Sequence, residues 1–231
     1  MEGFVRVLHV TLLVTWLGID VGVFLSSFVI RRRGLSPDAR VEIRRIMRAL
    51  DLAPRVSLVL MVPVALWMTS LTGFDAGLLS PAVLALVTLV GAAWALAIVV
   101  AYRRLDPLGN RRAPTDRFDG AFPRADLVLR VVVAVGFLAA GIASLAGTGP
   151  WLGTHVAWKS LIFGLTVGAG LWIRIGATGF APALRETVLQ GETPERMARM
   201  DRAMRRAYPA VLSVWSGVAA MAVLGIVGVS A

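Results

Sequence analysis

The chain reads as an all-α, polytopic membrane bundle of six transmembrane helices, and three observations lead there. Apolar residues make up 57% of its 231 positions and charged residues only 16%, against about 25% charged in a soluble domain. Mean hydropathy is +0.75. The apolar residues also fall into six long runs divided by Arg-rich connections. A soluble fold of this size has too little interior to hold so much apolar sequence.

A helix crosses the bilayer core with about 20 apolar residues. The runs that qualify are 4–30, 56–73, 81–102, 127–147, 152–173 and 209–230. We expect them to form a single transmembrane domain over 1–231. The first run is too long for a signal-peptide core and no small-residue cleavage site follows it, so it reads as a retained span. The second contains Pro63, where a kink is expected.

The connections 31–55, 103–126 and 174–208 hold 21 of the 24 basic residues, whereas 74–80 and 148–151 hold none. By the positive-inside rule the Arg-rich connections face the cytoplasm, which places both termini outside. The Arg bias suits the plasma membrane of a GC-rich bacterium. A net charge of +10 does not indicate nucleic-acid binding here, because the charge is confined to blocks between spans. The chain has no Cys, which excludes disulfides and thiolate sites.

Two of these connections open with helix-start signals. Ser36-Pro37-Asp38 combines an N-cap, a first-turn proline and an acid, and Thr193-Pro194-Glu195 repeats the pattern. Ile43, Ile46, Met47 and Leu50 follow the first on one helical face; Met197, Met200 and Met204 follow the second. These amphipathic stretches are expected to lie on the anionic inner leaflet, with a docked soluble partner as the alternative.

The chain also resembles itself. At an offset of 146, residues 9–25 show six identities, including His9 on His155, Gly18 on Gly164 and Gly22 on Gly168. At an offset of 157, Ser36-Pro37-Asp38 falls on Thr193-Pro194-Glu195 and Met47-Arg48 on Met204-Arg205. The order of the matches points to a duplicated hairpin, spans 1–2 and 5–6, with 11 extra residues in the second copy. Spans 1 and 5 then run in parallel, and their two G-x-x-x-G motifs are expected to let them approach.

His9 and His155 are the only histidines, and the repeat superposes them near the outer face. Two imidazoles at one depth could share a b-type heme or a metal ion. Each could equally sit alone at the headgroup boundary. Lys159, the only lysine, lies one turn below His155, where it could contact a heme propionate or another anion, or snorkel outward. Asp20 shares the His9 face three turns deeper. Its roles would be proton relay or an ion pair with Arg174 or Arg55. Arg130 is expected to snorkel to the inner surface. Trp16, Trp67, Trp151, Trp158 and Trp172 read as interfacial belt or packing, and Met61, Met68 and Met221 as core filling or soft ligands for Cu(I). No phosphate loop, G-x-S-x-G or H-E-x-x-H motif is present.

Leu8-His9, with Trp16 seven residues after the histidine and then Gly18, resembles the first helix of the CopD-like membrane domains of copper resistance. It is also similar to that of the HemJ-type protoporphyrinogen oxidases, to which Val14-Thr15-Trp16 is close. The HemJ resemblance implies a helical membrane protein that binds heme b and handles porphyrin redox chemistry. The CopD resemblance implies copper handling at the outer face of the inner membrane. In both, His9 would be the ligand. The likeness is strongest in span 1; His155-Val156-Ala157-Trp158-Lys159 has the residue types of a later HemJ element in another order. Three readings therefore stand: a heme-b redox or electron-transfer protein with a membrane or cytoplasmic redox partner, a copper or small-cation transporter, and a non-catalytic membrane subunit. Oligomeric state is not legible.

Overall fold

In a computed structural model, which describes residues 1–106, 108 and 117–230 (without the side chains of 117–120 and 229–230), the chain is helical with no strand among those residues. The helices are α1 (Glu2–Val29), α2 (Pro37–Leu71), α3 (Pro81–Arg103), α4 (Arg117–Leu145), α5 (Thr154–Gly176), α6 (Phe180–Gln190) and α7 (Pro194–Ser230). All but α6 contain a stretch long and apolar enough to cross a membrane. The protein is an integral membrane bundle, and each of the six expected spans corresponds to one of these helices, overrunning it by at most two residues.

Three helices begin alike. Ser36 Oγ accepts from the Ala39 amide at 3.2 Å, Ser80 Oγ from Val83 at 3.4 Å, and Thr193 Oγ1 from Arg196 at 3.3 Å. A proline follows each cap, where its missing N–H costs nothing. Helix α2 continues unbroken through Pro54 and Pro63, and α7 through Pro209.

Helices α2 and α7 run 35 and 37 residues, roughly 52–55 Å at 1.5 Å per residue. Each is far longer than a hydrocarbon core of about 30 Å. The expected amphipathic segments are therefore the first halves of spanning helices, and they do not lie flat on a leaflet. Their apolar faces are buried in one cluster around α6. Met47, Met197 and Met200 are buried with Ile30, Phe180, Ala183, Leu184 and Ala203 in a second core at the Arg-rich end, against which Ile43 and Met204 pack. Burying the methionines between helices removes the apolar stripe that would otherwise seek lipid.

The main core lies in the spans. It gathers Leu12 and Trp16 of α1, Leu58, Val59 and Met61 of α2, Trp94 and Ile98 of α3, Phe163 and Val167 of α5, and Val214 and Val218 of α7. Helix α1 packs along α2, α2 along α3, α4 along α5, and α5 along α7. The pairs α1–α2 and α5–α7 are thus the two arms of the sequence repeat. Helix α6, which the sequence did not announce, has 11 residues, the same length as the offset between the two matches.

The glycine motifs act elsewhere than expected. A Cβ on Gly18 or Gly168 would meet nothing within 4 Å, and one on Gly22 would meet Leu50 of α2. Gly164 faces α4, where a Cβ would lie 2.7 Å from the Ala134 carbonyl oxygen. Across the same contact, a Cβ on Gly141 would lie 2.7 Å from the Leu161 nitrogen and 2.9 Å from the Ala157 oxygen. The close approach is between α4 and α5, neighbours in sequence joined by a short connection. Gly141→Val is expected to destabilise the bundle by about 1–3 kcal/mol through overpacking against backbone that cannot step aside. Equilibrium unfolding in SDS micelles measures this. Gly136→Val, in open space, serves as the control and should leave the midpoint in place.

Candidate functional site

The histidines stand on α1 and α5, two helices that meet at one aromatic pair. Trp16 and Phe163 meet edge-on with centroids 6.4 Å apart. His9 stands seven residues before Trp16 and His155 eight before Phe163, roughly 10 and 12 Å back along parallel helices. Both histidines therefore belong to the Arg-poor ends of their helices. Lys159, one turn before Phe163, is the charged neighbour of both rings.

Each histidine has a distinct setting. His9 is partly buried, and its Nδ1 is fully buried without a hydrogen-bond partner among the described residues. His155 packs edge-on against Phe74, with centroids 4.7 Å apart. On its other side runs the α7 backbone at Gly228, where a Cβ would fall 2.5 Å from the ring. One turn down, a Cβ on Gly225 would sit 3.0 Å from Lys159 Nζ. No carboxylate lies within 4 Å of Lys159 among the described residues, so it does not form an ion pair.

The loops at the Arg-poor end close over this region. The Leu152 amide donates to the Phe74 carbonyl at 2.9 Å, and the Ala76 amide to the Pro150 carbonyl at 3.0 Å. Trp151 is tied down from below: its Nε1 donates to Ser160 Oγ at 3.0 Å, and Ser160 donates to the Phe137 carbonyl at 2.8 Å. Phe74 is therefore held against His155 by two connections that contain no basic residue.

Asp20 lies apart from the histidines. It accepts from Trp215 Nε1 at 2.8 Å and forms no ion pair among the described residues. Its two expected partners are taken: Arg55 pairs with Asp51 at 2.9 Å and Arg174 with Asp126 at 2.7 Å. An indole N–H from α7 was a partner that charge reasoning did not consider.

Arg130 is the clearest departure from expectation. It does not snorkel. Its side chain is 8% exposed, its Nε donates to Asp126 at 3.1 Å, and its guanidinium carbon sits 5.5 Å from the Trp94 ring centroid. Asp126 also accepts from Trp94 Nε1 at 2.9 Å. Beside this group, Asp51 accepts from Arg55 and from the Tyr102 hydroxyl. Sequence reasoning named Arg130, Arg55 and Arg174 singly but missed this buried polar layer. Its signal was present: Asp51/Arg55 and Asp126/Arg130 each stand at i, i+4, on one helical face.

The tryptophans divide. Trp16 is buried in the core, Trp67 donates to Thr88 and Trp151 to Ser160, while Trp158 and Trp172 are exposed on the bundle surface. Met61 is buried in the main core, and Met221 packs against it.

No family model, curated protein or solved structure matches the chain. Among the described residues, no three His, Asp or Glu side chains stand close enough to hold a metal ion. The titratable groups of α1 and α5 at the Arg-poor end include two imidazoles and one ammonium, and the Asp75 carboxylate of the adjoining loop is engaged by the Gly77 and Leu79 amides. A bare cation would need further ligands from solvent. A porphyrin-bound iron would need few protein ligands, so two histidines would suit it, and a lysine without a carboxylate partner would suit its propionates. The buried, unpartnered Nδ1 of His9 fits a residue whose partner is not part of the polypeptide.

Proposed function

We propose that the chain is a plasma-membrane redox protein that carries heme b between His9 and His155. The observation behind this reading is that the two imidazoles, on separate helices, share Lys159 as their charged neighbour while His9 keeps a buried nitrogen without a partner. When bound, the heme would supply one-electron chemistry. The chain's own residues do the rest. His9 and His155 would hold the iron, and Lys159 would hold a propionate. Phe74 packs edge-on against His155 and fixes the ring's orientation, while the ring stays partly exposed. Asp20, deeper on α1, offers a carboxylate for proton movement toward the Arg-rich end. By the positive-inside rule that end faces the cytoplasm, with both termini outside, and a redox partner would meet the protein in the membrane or at the Arg-rich surface.

The test is a reduced-minus-oxidised optical spectrum of the detergent-purified protein beside its metal content. A sharp low-spin b-type signal is expected, lost in both His9→Ala and His155→Ala. A heme spectrum that survives either change overturns the ligand assignment. One observation favours copper or another small cation as a second reading. Met221, packed against the core, lies one turn before Gly225 on α7 and so beneath Lys159, where a thioether could take over a soft ion. Bound copper without heme, lost in His9→Ala, is the result that selects it. Absence of both groups leaves the reading of a non-catalytic membrane subunit.

A further inference from the structure

The polar layer around Asp126 has one donor too many. Asp126 already accepts from Trp94 Nε1, Arg130 Nε and Arg174. Arg130 Nη2 is fully buried and has no acceptor among the described residues, on a side chain only 8% exposed. Arg174 and Arg55 are the cationic neighbours of Arg130. Arg44 and Arg48 also face Asp51, while Asp20 faces Arg55 and Asp106 faces Arg48, so five guanidiniums meet four carboxylates, and Asp51 also accepts from Tyr102. Charge and hydrogen bonding are short in the same place and the same sense: one more acceptor bearing negative charge is wanted.

The geometry selects the chemistry of that acceptor. A guanidinium presents a planar fork that matches the oxygens of a phosphate group. Depth selects where it comes from. Arg130 stands 15 residues before Leu145, the Arg-poor end of α4, so roughly 22 Å from it. In a hydrocarbon core of about 30 Å, that is the half nearer the Arg-rich face, whose phosphates are the closest anions. Arg174, 36% exposed on its side chain, opens the layer toward that face.

We propose that Arg130 Nη2, flanked by Arg174 and Arg55, binds a phosphate oxyanion, supplied by an anionic lipid headgroup or as free phosphate from the Arg-rich side. Neither the histidine pair nor its cofactor enters this proposal.

Two arms of one experiment on the full chain separate the sources. Native mass spectrometry from detergent compares retention of phosphatidylglycerol with phosphatidylcholine. In phosphatidylcholine nanodiscs, the unfolding midpoint is followed against inorganic phosphate, with chloride at equal ionic strength as reference. Retention of phosphatidylglycerol, or stabilisation by phosphate beyond chloride, is expected and names the source. Arg130→Lys keeps the charge beside Asp126 but lacks Nη2, and should weaken the effect about tenfold. Where that variant fails to fold, Arg174→Gln, at the open edge, replaces it with the same expectation. If neither probe exceeds its reference, water satisfies Nη2 and the proposal falls. It falls equally if the folded variant binds as well as the unaltered chain.

Discussion

Replacing Asp126 with Asn should be the most damaging single change in the spans, lowering stability by about 3–5 kcal/mol. The carboxylate is 3% exposed and is the counter-charge for Arg130 at 3.1 Å and Arg174 at 2.7 Å. An amide of the same shape keeps one acceptor oxygen but turns an NH2 toward guanidinium donors. Two cations then share a poorly solvated site without compensation, and such a site is far costlier than one from which the whole pair is absent. Asp126→Leu combined with Arg130→Leu should therefore be less destabilising than Asp126→Asn alone. Equilibrium unfolding in SDS micelles gives both values. A loss below about 1 kcal/mol for Asp126→Asn, as for an exposed pair, would show that water reaches the layer freely.

Arg40→Met should cost nearly as much, about 3 kcal/mol, at the opposite kind of site. Arg40 lies outside the spans yet is 1% exposed. Its guanidinium donates to the Ile30 carbonyl at 2.5 Å, the Arg32 carbonyl at 3.0 Å and Glu192 at 2.7 Å. It thus satisfies the carbonyls that follow α1 and ties them to the segment between α6 and α7. Methionine fills the volume but leaves these acceptors bare. Glu192→Gln, which removes only a partly exposed partner, should cost about 1 kcal/mol. Limited trypsin digestion checks location as well as size. Arg40→Met should expose Arg196 and Arg199 at the start of α7 to cleavage, while the spans stay protected. If cleavage there is no faster than in the unaltered chain, Arg40 does not hold the two halves together.

The spans were legible because each is a long apolar run, and in lipid only a helix satisfies such a backbone. Helix starts at Ser36 and Thr193 were legible because an N-cap followed by proline is a local signal. What failed was non-local. The Met197, Met200 and Met204 stripe shows that a face is buried, but no property of the stripe names its cover, and α6 and the start of α2 proved to be that cover. Arg130 looked like a residue that would reach for water, because its pairing with Asp126 competes with snorkelling and the outcome depends on Trp94 and Arg174, brought in from α3 and α5. Asp20 found Trp215, 195 positions away. For the site, the match of His9 with His155 was visible as a repeat. That Lys159 is the charged neighbour of both depends on how α1 and α5 pack, which no spacing within one helix encodes.

The second core at the Arg-rich end has a consequence for the order of assembly. Arg40 and Glu192 are 152 positions apart, and Arg31 and Asp201 are 170 apart. During synthesis α1 and α2 emerge and pair long before α6 and α7 exist. Through that interval the apolar faces around Ile30 and Met47 have no cover and Arg40 has no carboxylate. The first hairpin must wait in an unfinished state, and loop-closure entropy makes these distant contacts the last to form. The chain is then most vulnerable at a predictable stage, after the fourth span has been made and before the last has been threaded, when its exposed surface at this end is open to chaperones, proteases and other nascent copies.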